Sequence, residues 1–156
     1  ARMCELTKLE VLNVESCHLS GELPEDIGKL RELICLDLRW NHIKGSIPPS
    51  IASCAKLEEI WLQGNEFSGK IPACISSLPS LEWLGLSNNN FEDLQHARAM
   101  FRGRFGSRVG IFLDGSPDTS SKRKRSGTYD LAVTAFRPRT LIHPCLLSCC
   151  VQHRQA

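Results

Sequence analysis

Apolar residues recur through the first ninety-odd positions with a fixed period. Leu9, Leu33, Leu57 and Leu81 stand 24 residues apart, the self-similarity that marks repeat architectures. The register holds in further columns: Leu12, Leu36, Ile60 and Leu84; Val14, Leu38, Leu62 and Leu86; Cys17, Asn41, Asn65 and Asn89; and Leu19, Ile43, Phe67 and Phe91. Residues two apart on a strand point to the same face, so the Leu12 and Val14 columns share one side of a short strand. Stacking such strands in parallel buries both columns in one core. The Asn column falls where the chain turns out of the strand, and a buried amide there satisfies backbone donors and acceptors that no ladder reaches. Cys17 is a small replacement in the first copy.

The second half of each unit reads Ser20-Gly21-Glu22-Leu23-Pro24, Lys44-Gly45-Ser46-Ile47-Pro48 and Ser68-Gly69-Lys70-Ile71-Pro72. Glycine permits a positive φ, and proline fixes φ while removing a donor, which predicts an irregular or 3₁₀ convex side rather than full helices. Ile27, Ile51 and Ile75, with Leu30, Cys54 and Leu78, complete the core from that side. The pattern LxxLxLxxN followed by LxGxIP, over roughly residues 1–94, resembles the plant-type leucine-rich repeat of receptor-like kinases, receptor-like proteins and polygalacturonase-inhibiting proteins. The resemblance implies an α/β-type repeat solenoid: a right-handed superhelix with parallel strands on its concave face.

Met3 and Leu6 occupy the columns of Ile27 and Leu30, so the chain opens in the last third of an earlier repeat and reads as cut from a longer array. The paired-cysteine cap of secreted family members is not present. After Phe91, Glu92-Asp93-Leu94 replaces the Gly-x-Ile-Pro half, and the pattern is not expected to return. The sequence therefore divides into a solenoid fragment of about four repeats (1–94), a short helix or irregular segment (95–113) in which Gly103 and Gly106 weaken helix, and a basic, poorly ordered tail (114–156).

Charge changes at the same place. Residues 1–95 hold 14 acidic and 8 basic residues, and residues 96–156 hold 3 and 11. No apolar run approaches the roughly 18 residues of a membrane span, and the start lacks a signal-peptide pattern. The resemblance implies an extracellular or plasma-membrane setting. Otherwise a cytoplasmic one is expected.

Candidate chemistry is sparse. Arg102 to Val109 resembles a kinase glycine-rich loop only superficially: Phe101 occupies the first glycine position, and no HRD or DFG follows. Cys145, Cys149, Cys150, His153 and His143 are the densest soft-ligand cluster, but their spacing does not match zinc knuckles. Lys122-Arg123-Lys124-Arg125 is a short basic run without interleaved aromatics, so no nucleic-acid partner is expected. The repeat cysteines Cys35, Cys54 and Cys74 read as reduced, structural thiols. With no nucleophile, base and oxyanion donor to assemble, the chain is expected to be no enzyme and to need no cofactor or metal.

What remains is recognition. The outward strand positions carry Asn13 and Glu15; Asp37, Arg39 and Trp40; Glu59, Trp61 and Gln63; and Trp83 and Ser87, and all three tryptophans of the chain are among them. They predict a diagonal aromatic band with charged neighbours, suited to a protein or peptide ligand. The competing reading is that the indoles lie flat to shield adjacent strand side chains. Cys17, Asn41, Asn65 and Asn89 are assigned to the structural ladder. An intracellular leucine-rich scaffold, or a truncated gene product with a non-functional tail, are the alternatives to a receptor-like fragment.

Overall fold

A computed structural model of the chain describes residues 2–92, 94–105 and 110–113. Each repeat begins with a three-residue strand: β1 (Val11–Asn13), β3 (Cys35–Asp37), β5 (Glu59–Trp61) and β7 (Trp83–Gly85). Between them run β2 (Ser20–Glu22), β4 (His42–Gly45), β6 (Glu66–Lys70) and β8 (Asn90–Glu92). The odd strands pair in parallel with a 24-residue offset, Val11 opposite Cys35, Cys35 opposite Glu59, and Glu59 opposite Trp83. This is the sequence period turned into a hydrogen-bond ladder.

The even strands form a second parallel sheet in the order β2-β4-β6-β8. The Ser-Gly-x segments were expected to be irregular; instead, backbone leaving the Asn turn stays extended long enough to pair with the next repeat. The proline that follows holds the extended conformation, with φ −68° at Pro24, −64° at Pro48 and −61° at Pro72. One 3₁₀ turn then buries Ile27, Ile51 or Ile75 on the convex side. The turn closes when the next core residue donates its N–H to that isoleucine's carbonyl, as Cys54 does to Ile51 at 3.0 Å.

All apolar columns meet in one core, where Leu12, Leu36, Ile60 and Leu84 are fully buried. Phe67 and Phe91 stack within it, centroids 6.1 Å apart. The core continues past Phe91. Helix α1 (Leu94–Phe105) packs against the 3₁₀ turn Ala73–Ser77 and buries Ala97 and Phe101. Strand β9 (Gly110–Phe112) then adds to the concave sheet beside β7, with Trp83 opposite Gly110. The expectation that the pattern does not return after Phe91 is thereby corrected. A 12-residue helix takes the place of the short convex turn, which lengthens the offset from 24 to 27 residues and hides the fifth strand from a 24-residue reading. Arg102 to Phe105 end this helix and form no loop between strands. The expectations for the basic run, the tail thiols and the tail itself lie outside the described residues.

Candidate functional site

The outward positions of β1, β3, β5 and β7 line up as columns across the concave sheet. One column holds Val11, Cys35, Glu59 and Trp83; the next holds Asn13, Asp37, Trp61 and Gly85; beyond the strands follow Glu15, Arg39, Gln63 and Ser87. Trp83 sits opposite Glu59 and diagonal to Trp61, within reach of an indole. The two rings stack with centroids 6.1 Å apart and 22° between planes. Trp83 is 41% exposed, whereas Trp61 is half-buried beneath its neighbours.

Arg39 covers the other part of Trp61, its guanidinium carbon 5.7 Å from the ring centroid. It is held by a bidentate pair: Nε donates to Asp37 Oδ1 at 2.9 Å and Nη2 to Asp37 Oδ2 at 2.6 Å, while Nη2 also donates to Glu15 Oε2 at 2.9 Å. The hydrogen bonds to Asp37 push the Arg39 pKa up further, so the cation is permanent. Glu59 anchors the other edge of the indole, accepting from Trp61 Nε1 at 2.9 Å and from the Cys35 thiol at 3.6 Å. Burial, with Glu59 and Asp37 nearby, pushes the Cys35 thiol up to about 12, so it is a neutral donor and not a nucleophile.

Two of the expected contact residues are not accessible. Asp37 is 3% exposed, its carboxylate engaged by Arg39, and Ser87 is 7% exposed. The diagonal band also divides. Trp40, 53% exposed with φ 55°, lies over Gly64, where any β-carbon would collide with its ring. Gln63 lies over Gly85 in the same manner, and among the described residues its buried Oε1 has no hydrogen-bond partner. Nothing in the sequence signalled this acceptor, since its burial follows from the missing side chain of Gly85 one strand away.

Behind this face, Asn41 Nδ2 donates to the carbonyls of Val14 and Leu38, both at 2.9 Å, and its Oδ1 accepts from the N–H groups of Cys17 (3.0 Å) and Leu19 (2.9 Å). Asn65 repeats the set with Leu38 (2.8 Å), Leu62 (3.1 Å) and the Ile43 N–H (3.1 Å), and Asn89 with Leu62, Leu86 and the Phe67 N–H. Cys17 turns its thiol to the Glu15 carbonyl at 3.2 Å. Each Asn thus ties two consecutive repeats together at the strand exit and holds the concave columns in register. Among the described residues, Cys4, Cys17, Cys35, Cys54 and Cys74 are free thiols, no group of three His, Cys, Asp or Glu is placed to hold a metal, and no helix is long and apolar enough to cross a membrane.

Two leucine-rich repeat family models match contiguous stretches, residues 8–30 and 31–91, together more than half of the chain. No curated protein matches the sequence. Among solved structures, the leucine-rich repeat ectodomain of the plant membrane receptor kinase GASSHO1/SCHENGEN3 from Arabidopsis thaliana, in complex with Casparian strip integrity factor 2, is 30% identical. It superposes with a TM-score of 0.60 over 72% of this chain and 13% of its own. The PEPR1–AtPEP1 complex is 28% identical, with a TM-score of 0.61 over 72% of this chain and 15% of that one. The ectodomain of the receptor kinase SOBIR1 from Arabidopsis thaliana is 26% identical, with a TM-score of 0.61 over 73% of this chain and 61% of its own. The chain therefore spans only a small part of the first two and under two thirds of the third. With the repeat columns, the two parallel sheets, the Asn ladder and these matches, the chain belongs to the plant-type leucine-rich repeat family.

Proposed function

We propose that this chain is a recognition module, part of a receptor-like ectodomain outside the cell, that takes a protein or peptide partner on its concave sheet. The observation that carries the reading is the Trp61–Trp83 stack on that sheet, bordered by Arg39 and Glu59. Large, rigid aromatic surface beside a few oriented polar groups is the usual composition of a binding hot spot. Similar solved chains support it: GASSHO1/SCHENGEN3 is seen with Casparian strip integrity factor 2, and HAESA with the peptide hormone IDA and the co-receptor SERK1. In this reading the module is no enzyme, uses no cofactor and has no nucleic-acid partner; its work is complementarity.

The test is a random peptide library displayed against the folded protein, with selected peptides mapped by amide hydrogen exchange. Protection should fall on residues 59–63 and 83–87. Trp61→Ala should weaken those peptides by about 2 kcal/mol or more, roughly 30-fold, with little loss of stability. Unchanged affinity with a large drop in stability would make the indoles packing residues, and protection confined to the convex 3₁₀ turns would move the binding face elsewhere.

A further inference from the structure

Resting on the concave-face reading, we infer that the segment this surface accepts is cationic and arginine-bearing. The face carries more carboxylates than cations. Glu15 and Glu59 stand on it half-exposed, and Glu58 and Glu82, immediately before β5 and β7, are exposed at its edge. Arg39 is the only lysine or arginine in the outward columns of β1, β3, β5 and β7, and its charge is already balanced by Asp37 and Glu15. The exposed carboxylates at the Trp61–Trp83 end therefore have no cation among the outward residues of those strands.

The surface also displays how it holds a guanidinium. Arg39 lies against the Trp61 ring while a neighbouring strand's Glu15 and its own strand's Asp37 accept its N–H groups. One strand further, the same combination recurs in other columns: a flat indole, Trp83, with Glu59 opposite it and Glu58 and Glu82 at its edge. A planar, five-donor guanidinium suits that pairing of ring face and carboxylate better than an ammonium, which is compact and strongly hydrated. An acidic segment would instead bring carboxylates against Glu58, Glu59 and Glu82 and lose affinity through like-charge contact.

The experiment measures fluorescence anisotropy of fluorescein-labelled octapeptides alternating glycine with arginine, lysine or glutamate, titrated with the whole chain. The arginine peptide should bind at least about ten-fold more tightly than the lysine peptide, and the glutamate peptide should not saturate. Affinity should fall by roughly ten-fold or more between low and high salt, as expected for exposed charges. The double variant Glu58→Gln/Glu82→Gln, at exposed side chains, should weaken the arginine peptide alone and leave the urea midpoint unchanged. Trp83→Ala should weaken it too. A glutamate or lysine peptide that binds as well as the arginine one, or no saturable arginine binding, overturns the inference. If a non-cationic peptide binds and is lost in Trp83→Ala, the concave-face reading stands without it; if arginine binding is indifferent to both variants, neither stands.

Discussion

Asn65 shows what a single side chain decides in this molecule. Its amide donates to the carbonyls of Leu38 and Leu62 and accepts from the Ile43 N–H, so three backbone groups of two consecutive repeats depend on it. Asn65→Ala should cost about 1–3 kcal/mol through those unsatisfied groups. Its exposed neighbour Glu66, whose carboxylate lies 3.4 Å from His42, should cost little when changed to Ala. Urea titrations of the two variants would distinguish them, and equal small losses would argue against the ladder's contribution. The thiols supply a second residue-scale outcome. Burial pushes Cys54 up to about 11 and Cys35, with its acidic neighbours, up to about 12, against an ordinary value of 9.0. The unfolded chain therefore loses these protons first, and stability present below about pH 9 should fall as pH rises from about 9 to about 12. Denaturation midpoints across that range, repeated on Cys35→Ser, would check the direction; a midpoint that rose would contradict it. Both Asn columns and cysteine positions were legible in the sequence, but the carboxylates that surround Cys35 were not, because Glu59 arrives from the next repeat.

At the scale of elements, helix α1 is the place where local and tertiary preferences disagree. Gly103 lies inside it with open space around the position of a β-carbon, so it contributes flexibility and no packing. Gly103→Ala should stabilise the protein by about 0.5–1 kcal/mol, read as a higher thermal midpoint. Phe101 has the opposite weight: fully buried and stacked on Phe105 with centroids 6.2 Å apart, it anchors the helix to the core. Phe101→Ala should cost about 3–5 kcal/mol and raise amide exchange in α1 and β9 ahead of β3. Uniform loss across all strands would show that these elements do not form a separable end of the stack. The sequence leaves this segment between a short helix and irregular chain because of its glycines, and the burial of Ala97 and Phe101 in the common core favours the helix.

Across the whole molecule, stability is shared between neighbours, since each repeat pairs only with the one before and the one after it. Ending the chain after Glu92 removes Ala97, Phe101 and Leu113 from the common core. Such a chain should unfold at a lower urea midpoint than the full one, and an unchanged midpoint would mean that α1 and β9 add nothing. Charge is distributed at this scale as well: the acidic repeats put glutamates on and around the concave face, while Arg98, Arg102 and Arg104 lie on α1, where Arg104 donates to the Ser76 carbonyl on the convex side.

The 24-residue period, by itself, determined the solenoid, the buried columns, the Asn ladder and the set of outward positions, because each depends only on which residue falls at which phase of a repeating unit. The second sheet, the fifth strand and the shape of the candidate face were decided by tertiary structure. Backbone pairing between repeats made strands of Ser-Gly segments that carry no strand signal of their own. Packing on the turn Ala73–Ser77 carried the chain through α1 to a strand three residues out of phase. Contacts across strands turned ten outward residues into a Trp61–Trp83 stack braced by Arg39 and Glu59, a Trp40 laid over Gly64, and an Asp37 withdrawn from the surface. A period states which residues are in phase; which of them touch depends on side chains reaching across from the neighbouring repeat.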